Sequence, residues 1–157
     1  MIVIAAIDDQ GGMMFNRRRQ SQDSVLREHI LNLAKDSRLW MNAYTRRQFT
    51  ENGMEMRNGG PAEAANGNQT ESANGAEILV DEEFLEKAGD GEYCFVENLP
   101  LAPCESRIEK ILLFRWNRAY PGDFFFDLDL SLWKLSGTEE FAGSSHEKIT
   151  EEAYVRE

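Results

Sequence analysis

Short apolar runs, separated by polar and glycine-containing segments, give the chain its pattern. The first run, residues 2–7, is continuous, rich in β-branched side chains and followed by two aspartates. A run of this kind predicts a strand buried on both faces, in the middle of a sheet that helices cover. Comparable runs predict further strands at residues 38–42, 78–80, 93–96 and 110–116.

Helical periodicity lies between these runs. Apolar residues recur at helical spacing over residues 24–35, and Asp23 precedes them as a residue type that caps helices well. Shorter helices are predicted near residues 45–49, 81–88 and 104–108. Because strands and helices alternate, the sequence predicts a largely parallel sheet with helices on both faces.

The last third of the chain lacks helical periodicity. Residues 124–126, 132–135 and 149–155 are predicted strands joined by turns, and residues 138–141 can extend the second of them. These strands would complete the sheet with an antiparallel hairpin at one edge. The predicted fold class is therefore α/β, with three layers and a mixed, mostly parallel sheet.

One stretch, at about residues 50–77, has a different character. It contains four Asn-Gly pairs among small and polar residues and offers almost no side chains for a core. Such a composition predicts a flexible surface loop. A length of 157 residues fits one domain, so the prediction is a single domain over residues 1–157 that carries this loop.

Composition and charge exclude several classes of function. The net charge of −11 argues against non-specific binding to nucleic acid or to an anionic membrane. No apolar stretch reaches the roughly 18 residues that span a membrane. The two cysteines and two histidines are scattered, so no metal is expected. Without a secretory pattern at residue 1, the predicted location is the cytoplasm.

Several segments, in this order, resemble the dihydrofolate reductase family. Residues 4–7 resemble its first strand, residues 39–45 the strand and turn written V-I-M-G-R-x-T, and residues 122–126 its G-D-x-x-F-P segment. Trp133, Phe141 and the hairpin to Tyr154 resemble its C-terminal strands. The resemblance covers most of the chain outside the loop. It implies a dihydrofolate-reductase-like fold, NADPH as cofactor and a pterin as substrate.

The resemblance also implies a site beside the first strand. Asp23 would be its catalytic carboxylate, hydrogen-bonded to the pterin, while the alternative role of Asp23 is to cap the helix. The implied cofactor contacts are Ala6, Met13 and Thr45, and the implied substrate contacts are Ala5, Arg27 and Phe114. Arg17, Arg18 and Arg19 are candidate anion contacts because guanidinium groups suit phosphate and carboxylate. The alternative interpretation is that these three arginines form a solvated basic loop with no ligand.

Two pairs of residues depart from the family pattern where it holds the cofactor. Asn42-Ala43 replaces the Gly-Arg pair that helps to hold the phosphates of NADPH. Glu97-Asn98 replaces a Gly-Gly pair that lets the backbone approach the cofactor, and it adds a negative charge beside a pyrophosphate. These departures argue against ordinary NADPH-dependent folate reduction.

Three classes of function follow from these patterns. The leading hypothesis is a diverged dihydrofolate-reductase-like protein that binds a small planar or anionic ligand, or a partner, with weak or no reductase activity. The alternative is an active NAD(P)H-dependent reductase of dihydrofolate or a related pterin. The third is an interaction protein that uses its acidic surface or its loop to bind a protein partner or a second copy of itself.

For several other polar residues the sequence predicts a structural role and no chemistry. Ser145, His146 and Glu147 are adjacent, so their side chains point in different directions, and the sequence predicts a polar hairpin turn rather than a catalytic triad. His29 lies on the apolar stripe of the predicted helix and is expected to be a packed histidine. Cys94 lies in an apolar run and is expected to be inert.

Overall fold

The computed structural model describes residues 1–50, 69–73 and 75–156. The strands are β1 (Ile2–Ile7), β2 (Gly12–Phe15), β3 (Arg18–Arg19), β4 (Arg38–Met41), β5 (Gln69–Ala73), β6 (Ala76–Val80), β7 (Tyr93–Phe95), β8 (Lys110–Arg115), β9 (Phe124–Phe125), β10 (Trp133–Phe141) and β11 (Ile149–Arg156). The helices are α1 (Ser24–Leu33), α2 (Ala43–Thr50) and α3 (Phe84–Lys87), with 3-10 turns at Ala102–Arg107 and Leu130–Leu132.

An eight-stranded sheet forms the centre of the structure, in the order β10-β11-β8-β1-β7-β4-β6-β5. The five strands from β8 to β6 are parallel, and antiparallel strands flank them at both edges. The C-terminal hairpin of β10 and β11 occupies one edge. The predicted fold class, a mixed and mostly parallel sheet with a C-terminal antiparallel hairpin, is confirmed.

Strand β1 lies in the middle of this sheet and is buried on both faces. It pairs in parallel with β7 and with β8. Its side chains alternate between two clusters, with Val3, Ala5 and Ile7 in one and Ile4 in the other. The continuous apolar run therefore has the burial that the sequence predicts.

Helix α1 covers one face of the sheet through Leu26, Ile30 and Leu31, which are almost fully buried. It begins where the sequence predicts, after Asp23, and ends two residues earlier than predicted. Its amino end reaches the carboxyl end of β1, where Leu26 and Ala6 line the same cleft. This contact places the start of α1 beside the candidate site.

The predicted strand at residues 124–126 is real, but its assignment to the main sheet is wrong. Phe124 and Phe125 form β9, which joins β2 and β3 in a separate three-stranded sheet. Strand β9 pairs with Gly12 and Met14 of β2. Because β2 and β3 are short and polar at their turn, their residues show no alternation from which the hairpin that receives β9 could be predicted.

Strand β5 lies within the stretch for which the sequence predicts a loop. Its residues are mostly polar, and it is ordered by antiparallel pairing with β6 at the edge of the sheet. An edge strand with both faces polar has no alternating apolar pattern. The remainder of the predicted loop, residues 51–68 and 74, lies outside the described residues. Among the described helices, none has the length and apolar character needed to cross a membrane.

Candidate functional site

A narrow cleft opens at the carboxyl end of β1, between α1 and the β2–β3 hairpin. Two predicted cofactor contacts, Ala6 and Met13, line it together with Ser21, Leu26 and Trp116. Its volume is about 20 Å³, which is room for about one water molecule. The carboxyl ends of parallel strands are where α/β sheets commonly place ligands.

Glu97 narrows the cleft from the side of β7. Its carboxylate accepts hydrogen bonds from Arg19 (2.9 and 3.2 Å), Thr45 (3.0 Å) and Gln48 (2.7 Å). The Arg19 guanidinium also lies over the ring of Tyr44, 4.5 Å from its centroid. One of the three predicted anion contacts, Arg19, is therefore already paired with a carboxylate of the chain itself.

Asp23 caps α1, as the sequence allowed, and its carboxylate is enclosed. Its Oδ1 accepts from the backbone N–H groups of Val25 (3.0 Å), Leu26 (3.3 Å) and Ser144 (2.9 Å). Its Oδ2 accepts from the backbone and hydroxyl of Ser145 (2.8 and 3.1 Å) and faces His146. Burial raises the pKa of Asp23, but the hydrogen bonds from His146 and the backbone outweigh it and hold the pKa well below its ordinary value.

His146 is the residue of this site that sequence analysis missed. It is 5% exposed, with Nδ1 3.0 Å from Asp23 Oδ2 and Nε2 facing two hydroxyls, those of Tyr120 (2.9 Å) and Ser21 (3.1 Å). Its ring stacks on Trp116 at a centroid distance of 4.4 Å. The segment does join β10 to β11 as predicted, but no local pattern indicates that His146 turns inward to meet residues near the start of α1.

The side chain of Arg27 is buried, and its Nε has no hydrogen-bond partner among the residues that the structure describes. Arg27 lies next to Leu26 on α1 and is 5% exposed. No ion pair joins its guanidinium to a carboxylate in the part of the chain that the structure describes. Burial lowers the pKa of Arg27, the charge of Asp23 raises it and that of Arg19 lowers it. The three groups therefore interact electrostatically beside the cleft.

Comparison with known proteins bears on the fold. No family model matches the sequence, and no curated protein sequence matches it significantly. A dihydrofolate reductase from Enterococcus faecalis, solved in complex with NADP(H) and RAB-propyl, is similar in structure with a TM-score of 0.61. The match covers 99% of this chain and 95% of that chain at 15% sequence identity. The chain has a dihydrofolate-reductase-like fold.

In this dihydrofolate-reductase-like fold, a carboxylate lies at or beside each of the two residue pairs that depart from the family pattern. Glu82 accepts a hydrogen bond from the backbone N–H of Ala43 (2.8 Å), at the start of α2. Asn42 bonds to Asn98 (2.9 Å), and Glu97 is engaged as described above. Like charges repel, so these residues do not fit the phosphates of NADPH.

The other predicted contacts are not brought together. Ala5 and Phe114 are fully buried in the two separate core clusters. Arg17 and Arg18 are exposed on the β2–β3 hairpin. Arg17 lines a different and larger cavity of about 510 Å³, together with Met14 and Phe124.

His29 and Cys94 are two further groups outside the cleft whose surroundings the fold determines. His29 is packed against Phe141 and bonded to Glu151 (2.9 Å). With Glu139 these two residues place three potential metal-ligand atoms within 4.8 Å of one another, a grouping that only the fold creates. Burial raises the pKa of Cys94 to about 12, which makes this thiol unreactive.

Proposed function

We propose that this chain is a dihydrofolate-reductase-like protein that binds a small ligand with an anionic group beside the start of α1 and has little or no reductase activity. The observation that carries the proposal is Arg27, a buried arginine with an orphaned Nε. Arg27 is also one of the substrate contacts that the family resemblance implies.

An uncompensated buried charge is costly to a folded protein. Removing an ion from water costs several kcal/mol, and a paired, hydrogen-bonded anion recovers part of that cost. Asp23, the carboxylate whose charge raises the pKa of Arg27, already accepts six hydrogen bonds from other groups. A carboxylate or phosphate on a ligand would satisfy the planar donors of Arg27 in a way that no described residue does.

Ligand entry requires the cleft to open. At about 20 Å³ the cleft is too small for anything larger than water. Arg19 and Glu97 both line it and are bonded to each other. We therefore expect binding to displace the Arg19 side chain or to shift the β2–β3 hairpin.

Reductase activity is disfavoured by the negative charges on the cofactor side. Glu97 belongs to one of the two pairs that depart from the family's cofactor pattern and Glu82 is bonded to the other, and each carboxylate already accepts hydrogen bonds from protein donors. A cofactor that carries several phosphate charges would have to displace these carboxylates and pay for their repulsion. The anionic ligand that Arg27 favours is for this reason a smaller one.

The test is a pair of titrations followed by tryptophan fluorescence and thermal melting. We expect inorganic phosphate or a small carboxylate to raise the Tm of the wild-type protein, and NADPH to have no effect at millimolar concentration. The variant Arg27→Met should raise the Tm of the ligand-free protein by several degrees, because a buried charge is replaced by an apolar side chain. It should also abolish the response to anions.

A matched control is Arg118→Met, which removes an exposed arginine and should leave both properties unchanged. A lower Tm for Arg27→Met together with an intact anion response would contradict the proposal. The similarity to a reductase solved with NADP(H) favours one second candidate, an active reductase. NADPH binding at low micromolar concentration, with oxidation of NADPH by dihydrofolate, would support that candidate and exclude the first.

A further inference from the structure

Ser21, His146 and Asp23 form a hydrogen-bonded series, although His146 lies more than 120 residues after the other two in the sequence. Ser21 Oγ lies 3.1 Å from His146 Nε2, and His146 Nδ1 lies 3.0 Å from Asp23 Oδ2. A serine nucleophile system consists of a hydroxyl that bonds to one imidazole nitrogen and a carboxylate that bonds to the other. It is recognised by this geometry and not by the order of the residues in the sequence.

The imidazole of His146 is held in the orientation that such a system needs. Asp23 is enclosed by hydrogen-bond donors that favour its ionised form, so the Nδ1 that faces it is suited to carry a proton; in a neutral imidazole the lone pair of Nε2 then faces the two hydroxyls. Stacking on Trp116 fixes the plane of the ring. A base in a fixed tautomer and a fixed plane needs no rearrangement before it takes a proton.

Ser21 has access to the cleft, whereas His146 and Asp23 lie behind it. Ser21 is partly exposed and lines the cleft together with Ala6, Met13 and Phe95. The rest of the lining includes polar and charged side chains, and the cleft of about 20 Å³ has to open, as it does for an anion, before even a short acyl group can reach Ser21. The arrangement has a nucleophile at the surface, a base behind it, and a buried carboxylate behind the base.

We propose that Ser21 is the nucleophile of an acyl-transfer site that hydrolyses small esters with short acyl groups. In the first step Ser21 Oγ bonds to the carbonyl carbon while His146 Nε2 takes the hydroxyl proton. The tetrahedral intermediate then expels the alcohol, which receives that proton from His146. A water molecule, deprotonated by His146, next attacks the acyl-serine, and the carboxylic acid leaves as Ser21 regains its proton.

Tyr120 provides a second hydroxyl at the same point. Its phenol lies 2.9 Å from His146 Nε2 and donates to Ser21 Oγ at 3.3 Å. Its backbone N–H is fixed by Asp8 Oδ2 (2.9 Å). As the donor nearest to the nucleophile, Tyr120 is suited to stabilise the negative charge that develops on the carbonyl oxygen during attack. Asp23 acts through His146 and is a positioning residue.

This inference does not rest on the proposed anion site. It requires neither Arg27 nor a bound anion, and the two proposals fail separately. Loss of the anion response in Arg27→Met leaves the reactivity of Ser21 untouched, and an unreactive Ser21 leaves the anion titration untouched.

The experiment is covalent labelling of the full chain with a small fluorophosphonate. Ser21 Oγ would displace fluoride from phosphorus, and peptide mass spectrometry would locate the adduct. We expect an adduct on Ser21 of the folded protein, none after denaturation in urea, and none in Ser21→Ala. Ser24→Ala, which removes an exposed serine three residues away, should label like the wild type.

The role of His146 has its own measurement. His146→Gln should lower the labelling rate at Ser21 by about 100-fold or more, the range for loss of a general base. Asp23→Asn should also lower it and should remove the Nδ1 proton signal of His146 from the NMR spectrum. Hydrolysis of p-nitrophenyl acetate should fall in parallel in Ser21→Ala.

Two results would overturn the proposal. One is a folded wild-type protein with no adduct on Ser21, or with an adduct on Tyr120 instead. The other is a His146→Gln variant that keeps its fold by thermal melting and labels at the wild-type rate. Either result would show that the hydrogen bonds among Ser21, His146 and Asp23 have only a structural role, which is to hold the β10–β11 connection against α1.

Discussion

A single carboxylate, Asp23, connects two segments that lie far apart in the sequence. It caps α1 and at the same time accepts the backbone N–H groups of Ser144 and Ser145. The approach is so close that a Cβ on Gly143 would lie 2.5 Å from Asp23 Oδ2. Only a glycine permits this contact without a shift of the loop, so Gly143 and Asp23 are structurally coupled.

The charge of Asp23 should stabilise the protein in a pH-dependent way. We expect Asp23→Asn to lower the free energy of unfolding by about 2–3 kcal/mol near neutral pH, because charge-assisted hydrogen bonds are lost. The pKa of Asp23 is lower in the folded state than its ordinary value of 3.8. The stabilisation is thus fully present above that value and is lost as the pH falls below it.

Urea denaturation of both proteins near pH 7 and near pH 3 measures this effect. The difference between wild type and Asp23→Asn should shrink in acid, and a constant difference would contradict the assignment. Asp129→Asn is the control, because Asp129 also accepts a backbone hydrogen bond, from Ser131 (3.0 Å), but is exposed. Its effect should be smaller.

At the level of single residues, the sequence predicted what depends on near neighbours. Asp23 was predictable as a helix cap because the residues that it caps follow it directly. His146 was not, because its partners Asp23, Ser21 and Tyr120 come close only after the sheet has formed. The unpaired Nε of Arg27 likewise depends on what the fold places around it.

Among the structural elements, the β2–β3 hairpin bears most directly on the cleft. Its turn residues Asn16 and Arg17 both have positive φ (55° and 64°), as tight two-residue hairpins require. The ion pair of Arg19 with Glu97 (2.9 Å) connects β3 to the end of β7. This largely buried pair therefore controls how firmly the hairpin closes the cleft.

Removal of the Glu97 charge should loosen the hairpin. We expect Glu97→Gln to destabilise the protein by about 2–3 kcal/mol, since Arg19 loses its ionic partner in a partly buried site. Amide hydrogen exchange in β2 and β3 should accelerate while that in β1 stays slow. Glu28→Gln, at an exposed position on α1, is the control. Unchanged exchange in the hairpin would show that other contacts hold it.

The small sheet that contains this hairpin could not be derived from the sequence. Its strands are two to four residues long, which is too short for alternation to be recognised. The apolar residues 124–126 were visible, but their partners Gly12 and Met14 carry no strand signal. The prediction therefore assigned β9 to the sheet with the strongest pattern.

For the molecule as a whole, the order of apolar runs was enough to predict the fold class. The parallel strands are built on short apolar runs because the sheet is covered on both faces. Residues 69–73, which the sequence predicts as loop, form the edge strand β5 because their backbone pairs with β6, and no side-chain pattern indicates this. The ligand and the reaction, in contrast, could not be predicted in this way, because they depend on side-chain contacts between different elements.

The net charge of −11 should make stability depend on ionic strength. Mutual repulsion of the excess acids is screened by salt. We expect the Tm to rise by a few degrees, or about 1 kcal/mol, when NaCl increases from about 10 mM to about 300 mM. Arg27→Met should show the same rise, which separates screening from anion binding at Arg27. A Tm that falls with salt would show that ion pairs dominate.

The position of β1 at the centre of the sheet has a consequence for synthesis of the protein. This apolar strand leaves the ribosome well before either of its neighbours, which begin at Tyr93 and Lys110. Until those segments emerge, both edges of β1 lack their native strand partners, although α1 can already cover one of its faces. The nascent chain thus carries an exposed, aggregation-prone segment for most of translation, and its yield in cells should depend on chaperones that shield it.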